Sequence, residues 1–236
     1  MLDKNGTISF GGTQLPGIVV ESAPALSRPK RKQTTYSVPG RSGDIVIDQN
    51  AWSDYKQDYK VFVSGGEGDA SGLISNVTDI LFSGSGYQRL EDSFEPDIFR
   101  LAYFSGPLDV TDILTEVGRT KITFTCRPER FLKSGELPVV DPELIDNPTA
   151  YAAKPLVKVE GTGNGSVSIN GETMTINDMV DYLYIDCETM NVYRSEGENR
   201  NDLVSGDFFK LAPGTNTITF SGGVTSVTVT PRFWKI

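Results

Sequence analysis

"YSVPGRSGDIVIDQNAWSDYKQDYKVFVSG", residues 36–65, decides the fold class. It reads as a turn, a short strand, a second turn and a long alternating strand. In its last part Tyr55, Tyr59, Val61 and Val63 share one face with Gln57. Lys56, Asp58 and Lys60 take the other face, with Phe62 the exception. Period-two alternation of this kind marks a half-buried antiparallel strand. The stretch carries neither a nucleophile with a base nor a set of metal ligands.

The same pattern continues on both sides. "GTISF", "GIVVES" and "SRPKRKQTTYSV" precede it, each bounded by Gly or Pro. "SGLISNVTDILFSGSG" breaks the rhythm, with Ile74, Val77, Ile80 and Leu81 at helical spacing. The spacing predicts a helix over 73–82, with Ser71 at its start and Gly84 as its C-terminal cap. "YQRLEDS" and "IFRLAYFS" then read as strands. Both faces of the second are largely apolar, so it is expected to be central. "TKITFTCRP" closes the half.

Five prolines and little periodicity between Pro128 and Pro155 predict an extended linker. The expected domains are 1–135 and 151–236, joined by a linker at 136–150. The second half is almost purely β. "SVSINGETMTI" predicts a hairpin with a type I′ turn at Asn170-Gly171. "DYLYIDCETMNVYR" predicts another, turning at 188–191. "FFKLAPGTNTITFSGGVTSVTVTPRFW" predicts three strands, turning at Pro213-Gly214 and at Gly222-Gly223. Short strands at this spacing point to a β-sandwich or jelly roll.

Composition narrows the chemistry. The 236 residues contain no histidine, which removes Ser-His-Asp and Cys-His catalysis and HExxH zinc sites. Two cysteines cannot build a structural zinc site. Cys126 and Cys187 each close an apolar alternation and read as small buried hydrophobes. The net charge of −9 argues against nucleic-acid binding, which needs a basic surface. No apolar run is long enough to span a bilayer. The first twelve residues lack an apolar signal region, so folding in a cytoplasm is expected.

The ordered series of motifs resembles the distal tail proteins (Dit) of siphophages that infect Gram-positive bacteria. In the first half the resemblance rests on "VPGRSGDIVID", "DYKVFV", the helix, and "YQRLEDSFEPDIFRLAYFSGP" running to "ITFTCRPERFLKSGE". In the second it rests on "KPLVKVEGTGNGSVSINGETMTI", "YLYIDCETMNVYR" and "FFKLAPGTNTITFSG". It implies a mainly β chain: an N-terminal ring-forming β domain with one α-helix, and a C-terminal galectin-like β-sandwich. It implies a hexameric homo-oligomer at the virion tail tip, assembled in the host cytoplasm. The implied partners are the tail tube protein, a tail-associated or tail-fibre protein, and a receptor-binding protein. Neither cofactor nor enzymatic activity is implied. A carbohydrate-binding β-sandwich protein is the alternative.

The remaining motifs are weaker. "RPKRK", with Arg28, Lys30, Arg31 and Lys32, is the one basic cluster and the candidate partner interface. Its plain reading is a solvated strand whose lysines protect an edge. "GGEGD" (65–69) lacks the Lys-Ser/Thr end of a phosphate loop. "DPELID" and "DSFEPD" hold paired acids of the kind glycosidases use, yet 31 acids will pair by chance. "DQNAWSD" and "NRND" fall short of a calcium loop. Trp52, Tyr182, Tyr184 and Trp234 are candidates for a sugar platform, with burial in the core the plainer expectation.

Overall fold

Alternating apolar residues build the strands of the first unit, and the computed structural model describes residues 6–64, 70–108, 110–114, 117–195 and 197–236. The chain divides into two compact units, 1–130 with Ile236 and 131–235. The first unit contains β1 (Ile8–Phe10), β2 (Thr13–Gln14), β3 (Ile18–Val20), β4 (Arg31–Tyr36), β5 (Ile45–Trp52) and β6 (Tyr55–Ser64). Helix α1 (Ala70–Phe82) follows, then β7 (Gln88–Asp92), β8 (Ile98–Tyr103), β9 (Val110–Leu114) and β10 (Val117–Leu132).

The main sheet has the order β2-β1-β7-β8-β10-β6-β3, with β9 also on β10. Gly6 and Val20 exchange both backbone hydrogen bonds, at 3.2 and 2.8 Å, which brings the chain before β1 onto β3 and curls the sheet. Only glycine fits there, because a Cβ on Gly6 would lie 2.2 Å from the Phe94 ring. The expected face of β6 is buried: Tyr55, Gln57, Tyr59, Val61 and Val63 all point inward. Val77 and Leu81 of α1 join that core. As expected, β8 is central, between β7 and β10.

The helix is longer than its spacing predicted, starting at Ala70. Its end differs too. Ser83 N–H donates to the Ile80 carbonyl, and the left-handed residue is Gly86 (φ 80°), not Gly84. The side chain of Ser71 and the loop 65–69 lie outside the described residues.

The second unit holds β11 (Val139–Val140), β12 (Leu144–Asn147), β13 (Leu156–Ile169), β14 (Glu172–Asp186), β15 (Asn191–Tyr193), β16 (Val204–Ser205), β17 (Gly214–Thr230) and β18 (Trp234–Lys235). The order is β11-β17-β13-β14-β15, with β12 on β17 and β16 on β14. Asn170 and Gly171 have φ of 54° and 85°, which the tight turn between β13 and β14 requires.

Two expectations are corrected here. Gly222-Gly223 is not a hairpin turn: β17 runs through it as one strand, with a register shift against Gly161 and Gly165 of β13. β13 and β14 slip at Gly163/Gly165, in the same region. Bulges bend strands. The breaks let the three strands curve together, so that Val159, Val167, Ile176, Leu183, Ile218 and Val227 meet in one core. The second correction concerns 136–150, which is not free chain. Val139 and Val140 pair with Val229 and Thr228, and residues 144–147 pair with 214–217. The prolines masked these strands because both are short, and Pro138 and Pro142 precede them rather than interrupt them.

Candidate functional site: an exposed hairpin and a buried ion network

β4 and β5 form a separate two-stranded sheet. Tyr36 pairs with Ile45, Thr35 with Val46, Thr34 with Ile47 and Gln33 with Asp48. Every residue from 35 to 50 is exposed, including Tyr36, Val38, Ile45, Val46 and Ile47. The base of the hairpin is braced. Arg31 forms an ion pair with Asp48 and lies 5.2 Å from the centre of the Trp52 ring. Gln49 donates to Thr34 Oγ1 at 2.8 Å, and Asn50 N–H donates to Asp48 Oδ1 at 2.8 Å.

The four basic candidates therefore have different roles. Arg28, Lys30 and Lys32 are exposed at the hairpin base. Arg28 donates to its neighbour's carbonyl, Ser27 O, at 3.0 Å. Arg31 is spent on Asp48 and Trp52, within the hairpin itself. Alternation alone did not reveal this, since Asp48 sits seventeen residues away and meets Arg31 only through the strand pairing.

The acids of "DSFEPD" do not form a catalytic pair. Asp92 is buried and accepts from Tyr59 Oη at 2.8 Å, from Arg100 Nη1 at 3.0 Å and from the backbone N–H of Phe94 and Glu95 at 3.0 Å each. Glu95 receives both Arg100 and Arg130. Burial raises the Glu95 pKa, but the hydrogen bond from Arg130 and the two guanidinium charges outweigh it and hold the carboxyl below its usual range. Both carboxylates are thus committed to arginines, and neither is poised as a general acid.

None of the four aromatic candidates is fully buried, though Trp234 packs against the core of the second unit. Tyr182 and Tyr184 are half-exposed on the outward side of β14, while Leu183 and Ile185 face in. Their rings are engaged: Tyr184 stacks on Tyr193 at 5.4 Å, and the Lys158 ammonium lies 5.2 Å from the Tyr182 ring. Trp234 stacks on Tyr151 at 4.5 Å and donates to the Ala152 carbonyl at 3.0 Å. Tyr182 and Tyr184 lie outside the core because cross-strand aromatic pairs also stabilise an outward face.

Among the described residues, no group of three or more Cys, Asp or Glu side chains is placed to hold a metal ion. A shallow cleft of about 320 Å³ lies between Lys56, Lys121, Thr123, Thr125 and the Ser105–Pro107 turn. It presents no nucleophile–base pair.

Cys126 and Cys187 are buried, and burial pushes each thiol up to about 12. The thiolate is the reactive form. Both thiols should therefore resist a disulfide reagent in native protein near pH 8 and react fully after denaturation. Rapid labelling of either cysteine in the folded chain contradicts this burial.

Residues 150–233 match the SPP1 Dit family model, the C-terminal domain of siphovirus-type tail components. Within those residues the second unit carries the pattern of this family's C-terminal domain. The match lies within the second unit and begins after β12. No curated protein matches the chain by sequence. Among solved structures the chain is similar to the Dit protein (gp 19.1) of phage SPP1, described as a paradigm of the hub adsorption apparatus in phages infecting Gram-positive bacteria. The identity is 13%, the TM-score is 0.76, and the likeness covers 98% of this chain and 99% of that one. It is also similar to a chain of the phage P2 baseplate in its activated conformation with calcium, at 10% identity and a TM-score of 0.51, over 97% of both chains. The strontium form gives 10% and 0.50, over 97% of this chain and 99% of that one. The Dit fold thus extends through the first unit, beyond the part that the family model reaches.

Proposed function

We propose that this chain is the hub subunit at the distal end of a siphophage tail, a structural protein that assembles as a hexameric ring. The ring joins the tail tube to the adhesion apparatus, with the tail tube protein on one side and tail-fibre and receptor-binding proteins on the other. It is built in the host cytoplasm and resides in the virion. The carrying observation is the continuous likeness to SPP1 Dit, which runs through both units and not only through the sandwich. The pairing of every acid in "DSFEPD" that reaches the interior with arginine favours a structural role over hydrolysis.

The exposed basic residues Arg28, Lys30 and Lys32 contribute to subunit or tube contacts, while Arg31 contributes by holding the hairpin in shape. Light scattering of the purified chain, with negative-stain microscopy, tests the reading. The expected result is a six-fold ring, alone or after addition of the tail tube protein. A chain that stays monomeric and does not join tubes under any condition refutes the hub assignment.

A further inference from the structure

We propose that residues 136–146, the strip made of β11, the turn after it and most of β12, dock an extended segment of another protein in which apolar side chains alternate with lysine or arginine. The inference goes beyond the hub reading and does not depend on it.

Apolar exposure marks the place. Seven large apolar side chains of the second unit are exposed among the described residues, and four of them are Leu137, Val139, Val140 and Leu144. Leu137 and Val140 are each 65% exposed. A concentration of that kind marks an interaction surface. The backbone is available too. Among the described residues β11 and β12 pair with β17 alone, so each keeps an open edge. Unpaired donors and acceptors on such an edge accept an added strand. Pro138 and Pro142 flank the two strands, so every ladder position inside them retains its N–H.

The strip is anchored from within. Pro142 and Ile145 are buried between exposed neighbours. Asp141 takes a left-handed φ of 45°, donates its N–H to the Val227 carbonyl at 2.7 Å and accepts the Val227 N–H on Oδ1 at 2.8 Å. The Glu143 carbonyl accepts the Ile218 N–H at 2.9 Å, and the Ile145 carbonyl accepts Nδ2 of the buried Asn216. A plain connection between domains needs none of these anchors. They present Val140 and Leu144 to solvent in a fixed arrangement, so little ordering remains to be done on docking.

Charge selects the occupant. Residues 136–146 carry four acidic and no basic side chains, and β17 beside them carries no charged residue. Glu143 and Asp146 are exposed and enter no ion pair among the described residues. The complementary positive charge therefore comes from the partner. A second copy fits less well, because both units are acidic: 14 basic against 17 acidic side chains in 1–130, and 8 against 14 in 131–235. A polyanion is repelled, and a polycation without apolar side chains leaves Val140 and Leu144 uncovered.

The test is titration of the whole chain with two synthetic peptides of one composition, valine and lysine strictly alternating or segregated into two blocks. Fluorescence anisotropy reads affinity, and hydrogen exchange reads the place. The alternating peptide should bind and protect residues 139–147. The block peptide should bind roughly tenfold more weakly, since only alternation puts every valine on one face of an added strand. Val140→Ser with Leu144→Ser should weaken the alternating peptide roughly tenfold at every ionic strength. Glu143→Lys with Asp146→Lys should weaken it most at low salt, with the difference shrinking as salt is raised. The thermal midpoint of the free chain should not move in either variant, since these side chains are exposed. Equal binding of the two peptides, full-strength binding by both variants, or protection confined to other residues overturns the docking strip. Self-association of the unmodified chain that either variant abolishes, read by sedimentation, overturns the choice of a separate protein as occupant.

Discussion

Replacing Arg100 with methionine should lower the stability of the first unit by about 3–5 kcal/mol, the range seen when one partner of a buried ion pair is removed. Arg100 is 2% exposed and lies between two carboxylates, with Asp92 entirely buried. The variant leaves the buried Asp92 carboxyl group beside Tyr59 without its guanidinium partner. Adding Asp92→Asn should recover part of the loss, because no lone buried charge then remains. Hydrogen exchange of residues 88–104 reads the local effect and separates it from the second unit. If the single variant unfolds at the same denaturant concentration as the parent, the network is not holding β7 to β8.

The same network sets an acid limit. Glu95 has a folded pKa below its unfolded value, so its contribution is present above the unfolded pKa, near 4.5. It fades as pH falls through the lower folded value. Asp186 behaves alike in the second unit: burial raises it, but the hydrogen bond and charge of Arg232 and the backbone N–H of Glu188 and Thr189 bring it below its usual value. Stability should therefore be flat near neutrality and drop below about pH 4, with Glu95→Gln flattening the drop in the first unit. A drop that begins near pH 6 contradicts the assignment to these carboxylates.

Alternation revealed faces but not what covers them. In β6 it placed Tyr55, Gln57, Tyr59, Val61 and Val63 on one side, and all five are buried. In β8 it placed Arg100 beside Ile98 and Ala102, yet nothing local shows that Glu95 and Arg130 converge on the same spot. Arg130 is thirty residues downstream and arrives only when β10 pairs into the sheet. β5 fails in the opposite direction. "IVID" looks like a strand with something to bury, but among the described residues no layer covers it. Whether a strand is covered depends on the sheet order, which is a long-range property. The same reasoning explains Tyr182 and Tyr184: they alternate correctly with Leu183 and Ile185 but occupy the outward face. Glycine pairs usually punctuate strands, so Gly222-Gly223 reads locally as a turn. Here they accommodate close backbone approach, since a Cβ on Gly223 would sit 2.0 Å from the Thr162 carbonyl oxygen.

Asn216→Asp should destabilise the second unit by about 2–4 kcal/mol and open residues 139–150 to proteases, because it leaves several buried acceptors without a donor. Asn216 is fully buried. Its Nδ2 donates to the carbonyls of Ile145, Ala212 and Gly214, at 3.2, 2.9 and 2.8 Å. Its Oδ1 accepts from Asn170 Nδ2 at 2.7 Å. Aspartate keeps the shape and the acceptor but cannot donate when ionised, so a carboxylate would face carbonyl oxygens. Asn147 anchors the same segment, donating to the Tyr151 and Leu211 carbonyls at 2.9 and 3.0 Å and accepting from Thr149. Two asparagines thus convert a proline-rich stretch into edge strands, a task its own apolar pattern is too weak to perform. Limited proteolysis should spare 139–150 in the parent chain and cut there first in the variant, with the fragment ends identified by mass. Equal protection in both proteins, with an unchanged thermal midpoint, would show that backbone pairing to β17 suffices and that the asparagines are dispensable.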